Sequence, residues 1–234
     1  MRARPITAAF AVFTFFASAA PVLAQRTGSL IGPAPAEIPD TGFIAKDELG
    51  RIVMYRFAEC VVSASRKRVE THLRDNFPGS PAAHKSAASL STDDCLSDGR
   101  MRLNESLFRG GAYEVLYRRK FLIRGPMDFS ATQPLDYGAG LGPEWTVQEK
   151  RAVAMRHLAD CTVRAAPPQA RTLILSAVGG KAETEAFTQL APKMSACLFE
   201  GSQLNFSKAM FRGAVGEALY RLSMAAETTA GAVR

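Results

Sequence analysis

An internal repeat constrains the fold of this chain more than any other feature of its sequence. The segment FRGGAYEVLYR at residues 108–118 returns as FRGAVGEALYR at residues 211–221, with seven of eleven positions identical and an offset of 103 residues. A second match, at an offset of 101 residues, relates RFAECVV around Cys60 to HLADCTV around Cys161. This periodicity indicates that one structural unit is present twice.

The repeat and the segments outside it give the chain its predicted layout. Residues 25–45 and 125–145 are rich in proline and glycine and show no helical or strand period, which is typical of connecting segments. We predict a signal peptide at 1–24, a flexible lead-in at 25–45, repeat 1 at 46–124, a connector at 125–145, repeat 2 at 146–225 and a tail at 226–234. The connector is apolar enough that we expect Phe129, Tyr137 and Leu141 to pack against a repeat.

The N-terminal residues have the pattern of a secretory signal. Arg2 and Arg4 precede an apolar run at 6–20, and the small residue Ala24 stands where a signal peptidase would cleave. The alternative is a membrane anchor, but fifteen apolar residues fall short of the roughly 20 that span a bilayer. We therefore expect a mature protein that begins at Gln25, does not span the membrane, and is periplasmic or secreted.

Four cysteines in an exported chain indicate two disulfides, because the compartments outside the cytoplasm are oxidising. Four cysteines allow three pairings, and the repeat selects one bond within each copy, Cys60 with Cys95 and Cys161 with Cys197. A zinc site is the alternative, but no CxxC or HxxxH spacing is present and the three histidines are scattered. We expect each repeat to be closed by its own disulfide.

The charge of the chain is a weak guide to its partners. The sequence has 29 basic and 22 acidic residues, and the loss of Arg2 and Arg4 with the signal would leave a net charge of +5. A charge of this size favours anionic surfaces, although it is also common in soluble proteins. We expect no nucleic-acid partner, because an exported protein rarely meets one.

Hydrophobic spacing predicts an all-α fold made of two tandem four-helix repeats, each closed by one disulfide. No alternating, β-branched run bounded by turns is present to predict a strand. In repeat 1 the predicted helices cover 46–65, 66–76 and 80–96, and a fourth begins at Asn104. In repeat 2 the first helix begins at Thr146, where Glu149 completes a capping box.

The start of the fourth helix is marked in the same way in both copies. Asn104 and Ser207 are predicted N-caps, since their side chains can accept from the unpaired amides of the first turn. The hydrophobic pairs on either side of each cap, Leu103 with Phe108 and Phe206 with Phe211, can close hydrophobic staples.

One set of polar residues recurs inside this fourth helix, namely Arg109, Glu114, Tyr117 and Arg118 in repeat 1 and Arg212, Glu217, Tyr220 and Arg221 in repeat 2. Each Glu precedes an Arg by four residues, which favours an ion pair along the helix. Gly110 and Gly213 lie one turn before each Glu, where glycine destabilises a helix but lets another helix approach closely. We predict a buried polar contact between this helix and a neighbour; a ligand-binding carboxylate and a solvated surface remain the alternatives.

The sequence contains no GxSxG, HExxH, P-loop or GxGxxG motif, so we lean toward a non-enzymatic protein and predict no catalytic residue, metal site or cofactor. The doubled Ala-Glu/Asp-Cys and Arg-Gly…Glu-x-Leu-Tyr-Arg pattern resembles a group of exported alphaproteobacterial proteins with no assigned activity, and the resemblance spans both repeats.

These observations favour a binding or structural module of the cell envelope, whose partner is another envelope protein or an anionic surface. Two alternatives stay open. One is a periplasmic enzyme or small-ligand binder with a cavity near Glu114 or Glu217. The other is a peripheral binder of anionic membrane.

Overall fold

The computed structural model describes residues 46–91, 93–95, 103–198 and 206–232, which lie in one compact unit. These residues form seven α-helices and one short 3-10 turn at Asp93–Cys95, and they contain no strand, so the predicted all-α fold class is confirmed. The helices are α1 (Lys46–Asp75), α2 (Pro81–Leu90), α3 (Glu105–Phe121), α4 (Val147–Ala165), α5 (Pro167–Leu175), α6 (Lys181–Ala196) and α7 (Lys208–Ala232). The predicted signal peptide and lead-in lie outside the described residues.

A kink in α1 corresponds to the break between α4 and α5. Ser65 has non-helical backbone angles (φ −144°, ψ 46°), and Ala166, which is 101 residues later, has nearly the same angles (φ −149°, ψ 62°). In the second position Pro167 begins a new helix, because a proline is accommodated at the first helical residue and cannot donate a backbone hydrogen bond. Two helices predicted to meet after Ser65 are therefore joined into one kinked helix.

The predicted start signals of α3, α4 and α7 are present in the structure. The Asn104 side chain accepts a hydrogen bond from the Leu107 amide at 3.2 Å, and the Ser207 hydroxyl accepts from the Met210 amide at 3.3 Å. Thr146 and Glu149 form a complete capping box. The rings of Phe206 and Phe211 stack at 5.5 Å, and Leu103 packs against the core that contains Phe108.

Both predicted disulfides are confirmed. Cys60 is bonded to Cys95 and Cys161 to Cys197, across sequence separations of 35 and 36 residues. Each bond links the first helix of a repeat to the region that follows the third helical segment of that repeat. Bridges that close loops of this length stabilise a protein by about 3–4 kcal/mol in the chain-entropy estimate.

The hydrophobic side chains form two clusters. One contains Phe57, Val61 and Phe108, and all of its fully buried members come from repeat 1. The other surrounds Leu173 and Phe211 of repeat 2, and it also includes residues from outside that repeat: Tyr117 and Phe121 of α3 and Phe129 of the connector. The end of α3 thus completes the core of repeat 2.

The connector packs against α4. Phe129 and Tyr137 are buried and Leu141 is half-buried. Arg164 of α4 donates to the carbonyl oxygens of Phe129 and Thr132 at 2.8 and 2.9 Å, which fastens the connector to the helix.

Helix α7 continues to Ala232, into the segment that we predicted as a tail. Although it is long, neither α7 nor any other helix in the described ranges combines the length and the apolar character needed to cross a membrane.

Candidate functional site

Helices α3 and α7 meet at Gly110 and Gly213. A Cβ atom added to Gly110 would lie 2.6 Å from the Cα of Gly213, and one added to Gly213 would lie 2.9 Å from the Cα of Gly110. Carbon atoms without a bond between them do not approach so closely, so the two backbones touch where neither helix carries a side chain. The repeated glycines are therefore explained by this crossing.

The repeated Arg and Glu residues on either side of the crossing pair between repeats. Glu114 accepts hydrogen bonds from Nε and Nη2 of Arg212 at 2.8–3.0 Å. In the reciprocal pair, Nε of Arg109 lies 3.5 Å from Oε2 of Glu217. All four side chains are buried, and each glutamate is partnered by an arginine from the other copy.

The ion pairs expected within each helix are only partly present. Arg221 lies 3.3 Å from Glu217, four residues before it, as the spacing favours. Arg118 instead donates to the carbonyl oxygen of Ser176 at 2.7 Å, at the end of α5. Local spacing along a helix is therefore a poor guide to pairing when a neighbouring helix supplies a buried partner.

Arg109 and Arg212 also bind the ends of helices in their own repeats. Arg212 donates to the carbonyl oxygen of Ser176 at 3.0 Å, after α5. Arg109 donates to the carbonyl oxygens of Leu73 and Asn76 at 2.7 and 3.2 Å, at the end of α1. Carbonyl groups at a helix C-terminus have no partner within the helix and attract cations. Both arginines therefore join a helix end to the crossing.

The surroundings of Glu114 are closed and balanced in charge. We define the closed site as three arginines with three carboxylates: Arg212, Arg51 and Arg118 with Glu114, Glu183 and Glu48. Arg118 belongs to this set through its positive charge, which acts on Glu114. Burial lowers the pKa of Arg212, but Glu114 and Glu183 outweigh it and hold this pKa above its usual range. The adjacent cavity has a volume of only about 30 Å³.

The surroundings of Glu217 are open and carry an excess of positive charge. We define the open site as Glu217 with Arg109, Arg156 and Arg221, all three of which form ion pairs with this one carboxylate. Burial raises the pKa of Glu217, but the three arginines more than offset it, and the pKa lies below its usual range. Burial lowers the pKa of Arg156, and the positive charge of Arg109 lowers it further. The negative charge of Glu217 raises it but does not compensate, so the pKa of Arg156 lies below its usual range.

Two grooves open on this site. The first has a volume of about 560 Å³, and Glu217 and the two crossing glycines contribute to its walls. The second has a volume of about 640 Å³, and Arg109, Tyr113 and Arg221 contribute to its walls. Arg156 lines both grooves. Volumes of this size are typical of pockets for small molecules.

Substitutions outside the repeated segment account for the difference between the sites. Arg156 corresponds to Tyr55 at the 101-residue offset, so the open site has a cation where the closed site has a neutral ring. Glu183 corresponds to Ala83 when positions are counted from the matching turn glycines Gly79 and Gly179. The open site therefore gains the positive charge of Arg156, and the carboxylate that accepts from its turn glycine is Glu105 instead of a residue at position 83.

The repeated tyrosines differ in their roles. Tyr117 is buried in the core of repeat 2, and its hydroxyl accepts from Arg171 at 2.8 Å. Tyr220 is half-buried, packs on Tyr113 with ring centroids 5.8 Å apart, and lines the second groove.

A further buried polar group was not predicted from the sequence. His72 lies with Nδ1 3.0 Å from the hydroxyl of Ser86 and Nε2 3.6 Å from Oε1 of Glu105. Glu105 accepts from the Gly79 amide at 2.9 Å, which fixes the turn after α1. Burial raises the pKa of Glu105, but the neighbouring His72 ring and the hydrogen bond from the Gly79 amide outweigh it and hold the pKa below its usual range. Ser86 lines neither groove, so we regard this group as structural.

Comparison of the chain with protein-family models, with curated proteins and with solved structures found no significant match.

Proposed function

We propose that this chain is an exported, non-enzymatic binding module. It consists of two tandem four-helix repeats, and its ligand site is the open site with its two grooves. Disulfides persist in oxidising compartments, and the pair present here is consistent with export. The mature chain begins at Gln25 and acts in the periplasm or outside the cell.

The observation that carries the proposal is the unequal charge of two equivalent sites. Arginines and carboxylates balance at the closed site, which is what a purely structural contact needs. At the open site three arginines form ion pairs with Glu217, and the charge of Glu105 acts on Arg109, which leaves one positive charge over. An unpaired charge at a largely buried site is costly, so this surplus beside a groove is better explained by a ligand.

The same charges argue against catalysis at Glu217. A general acid or base works best when its pKa lies near the operating pH. The three arginines hold the pKa of Glu217 below its usual range, so this carboxylate stays ionised and is a weak base. Its role in the open site is to hold the arginines in place.

A direct test is equilibrium dialysis of the mature protein against a small-molecule extract of the cell envelope, with mass spectrometry of what remains bound. Ala152 lines the first groove, and Ala152→Trp would fill it. Ala191→Trp, on the exposed surface of α6, is the matched control. We expect a compound that is enriched by the wild type and by the control but not by Ala152→Trp. The proposal is wrong if no compound shows this pattern.

One exposed patch supports a second candidate function, attachment to an anionic membrane. Leu122, Ile123 and Met127 are 59%, 91% and 45% exposed; the first two lie between Arg119 and Arg124, and Met127 follows Arg124 by three residues. Apolar side chains flanked by cations suit the boundary of an anionic bilayer. The wild type should float with anionic vesicles but not with neutral vesicles. The Ile123→Glu variant should not float with anionic vesicles. Equal recovery with Ile123→Glu would refute this role.

A further inference from the structure

We propose that the open site binds a small amphipathic carboxylate, with the carboxylate on Arg156 and the apolar body in the first groove. This inference rests on the proposed function, and it adds the class of ligand.

Arg156 is positioned to present a guanidinium to a ligand. The residue is 6% exposed, and its side chain lies against the ring of Phe77, with the guanidinium carbon 5.2 Å from the ring centroid. Among the described residues, the hydrogen bond that it donates runs from Nε to Oε2 of Glu217 at 3.1 Å. Both terminal nitrogens therefore remain for a ligand, and a carboxylate accepts two parallel hydrogen bonds from an arginine.

The charges at the open site can accommodate one negative charge on a ligand. Arg109, Arg156 and Arg221 carry three positive charges, and all three act on Glu217. Glu105, whose charge acts on Arg109, is the second carboxylate, so one positive charge is left over. Nε of Arg109 is buried and faces Oε2 of Glu217 at 3.5 Å, without the geometry of a good hydrogen bond.

Other charges around the second groove are paired nearby. Arg66 is bonded to Glu70 at 2.8 Å, and Arg74 to Asp75 at 2.7 Å. The exception is Asp136, whose side chain accepts from the Gly138 amide at 2.8 Å; the amide is neutral, so this carboxylate keeps its negative charge at the second groove.

The first groove provides an apolar surface next to Arg156. Its walls include Ala152, Met155, Phe206, Met210 and Ala214, and the bare backbone of the crossing glycines forms part of them. A small molecule that combines a single carboxylate with an apolar chain satisfies the arginine and the apolar walls together.

Calorimetric titration of the mature protein with decanoate, below the concentration at which it forms micelles, tests the inference. We expect decanoate to bind at least tenfold more tightly than decanol or decyltrimethylammonium, because only the carboxylate pairs with Arg156. Inorganic phosphate, which lacks the apolar body, should bind at least tenfold more weakly than decanoate.

Met210 allows the charge to be varied without disturbing the buried arginines, because it is 40% exposed at the rim of the first groove. Met210→Glu should weaken decanoate binding severalfold and Met210→Lys should strengthen it. Arg156→Gln should abolish the preference for decanoate over decanol, provided that its circular dichroism matches the wild type. If Arg156→Gln does not fold, the opposite effects expected for the two Met210 variants on decanoate binding test the inference.

Two outcomes separate this inference from the proposed function. If decanol or phosphate binds as tightly as decanoate, or decanoate does not bind, the carboxylate inference is wrong. The proposed function still stands in that case if dialysis finds a compound that Ala152→Trp no longer retains. If dialysis also finds no such compound, the carboxylate inference and the proposed function are both wrong.

Discussion

Arg109 and Arg212 occupy the same position in the two repeats, yet their surroundings differ. Arg212 has hydrogen bonds to two carboxylates, Glu114 and Glu183. Arg109 shares the single carboxylate of Glu217 with two other arginines. Identical residues thus have different roles because their neighbours, which are not repeated, set the local charge.

Removal of the charge on Glu217 should destabilise the protein. In Glu217→Gln three arginines lose their shared anion, and loss of one partner from a buried pair costs about 3–5 kcal/mol. For a protein of this size we expect the Tm at neutral pH to fall by roughly 10 °C in scanning calorimetry. Glu185→Gln, on an exposed ion pair with Lys181, is the control and should melt like the wild type.

The same variant should change the response to acid. Because the pKa of Glu217 is lower in the folded protein than the roughly 4.3 of an unfolded chain, its ionised form contributes stability above that pH. This contribution is lost as the pH falls through the folded pKa. The Tm of the wild type should therefore drop more steeply below about pH 4 than that of Glu217→Gln. Parallel curves for the two proteins would contradict this account.

At the scale of helices, the contact between α3 and α7 depends on two glycines. Each costs helical stability of about 1 kcal/mol relative to alanine. The crossing compensates for this cost, because it allows the backbone contact that brings Glu114 and Glu217 within reach of arginines from the other repeat.

A methyl group at the crossing should force the two helices apart. For Gly110→Ala and Gly213→Ala, we expect a loss of at least about 1–3 kcal/mol, and a Tm lower by roughly 5–10 °C. Gly50→Ala is the matched control in α1, because a Cβ there would meet no atom within 4 Å. It should raise the Tm by about 2 °C through helix propensity. If Gly110→Ala also raised the Tm, the close contact would be refuted.

At the scale of the whole molecule, the two repeats are joined by a shared core and by ion pairs between them. Tyr117 and Phe121 of repeat 1 lie in the core of repeat 2, and two buried ion pairs join the copies. Separation of the repeats would expose that core and leave buried charges without partners. Their stabilities should therefore be coupled.

We accordingly expect one cooperative unfolding transition for the mature protein, with equal calorimetric and van't Hoff enthalpies. Replacement of Cys161 and Cys197 by serine removes a bridge worth about 3–4 kcal/mol, and should move the entire transition to lower temperature. Replacement of Cys60 and Cys95 should do the same. Two separate transitions, of which each double variant shifts only one, would indicate independent repeats instead.

The sequence alone determined the features that depend on near neighbours or on comparison of the two copies. Hydrophobic spacing predicted the helices, and the caps at Asn104 and Thr146 predicted where two of them begin, since capping involves residues three positions apart. The disulfide pairing followed from the repeat, because equivalent units place equivalent cysteines together.

Only the tertiary structure decided the partners of the repeated arginines and glutamates. The i,i+4 spacing predicted Glu114 with Arg118, but Glu114 pairs with Arg212, 98 residues away. A buried contact between helices outweighs a solvent-exposed pair along one helix, because the low dielectric strengthens the buried charges and unpaired burial is costly. The open site likewise depends on Arg156, which lies outside the repeated segment and reaches Glu217 only in the folded chain.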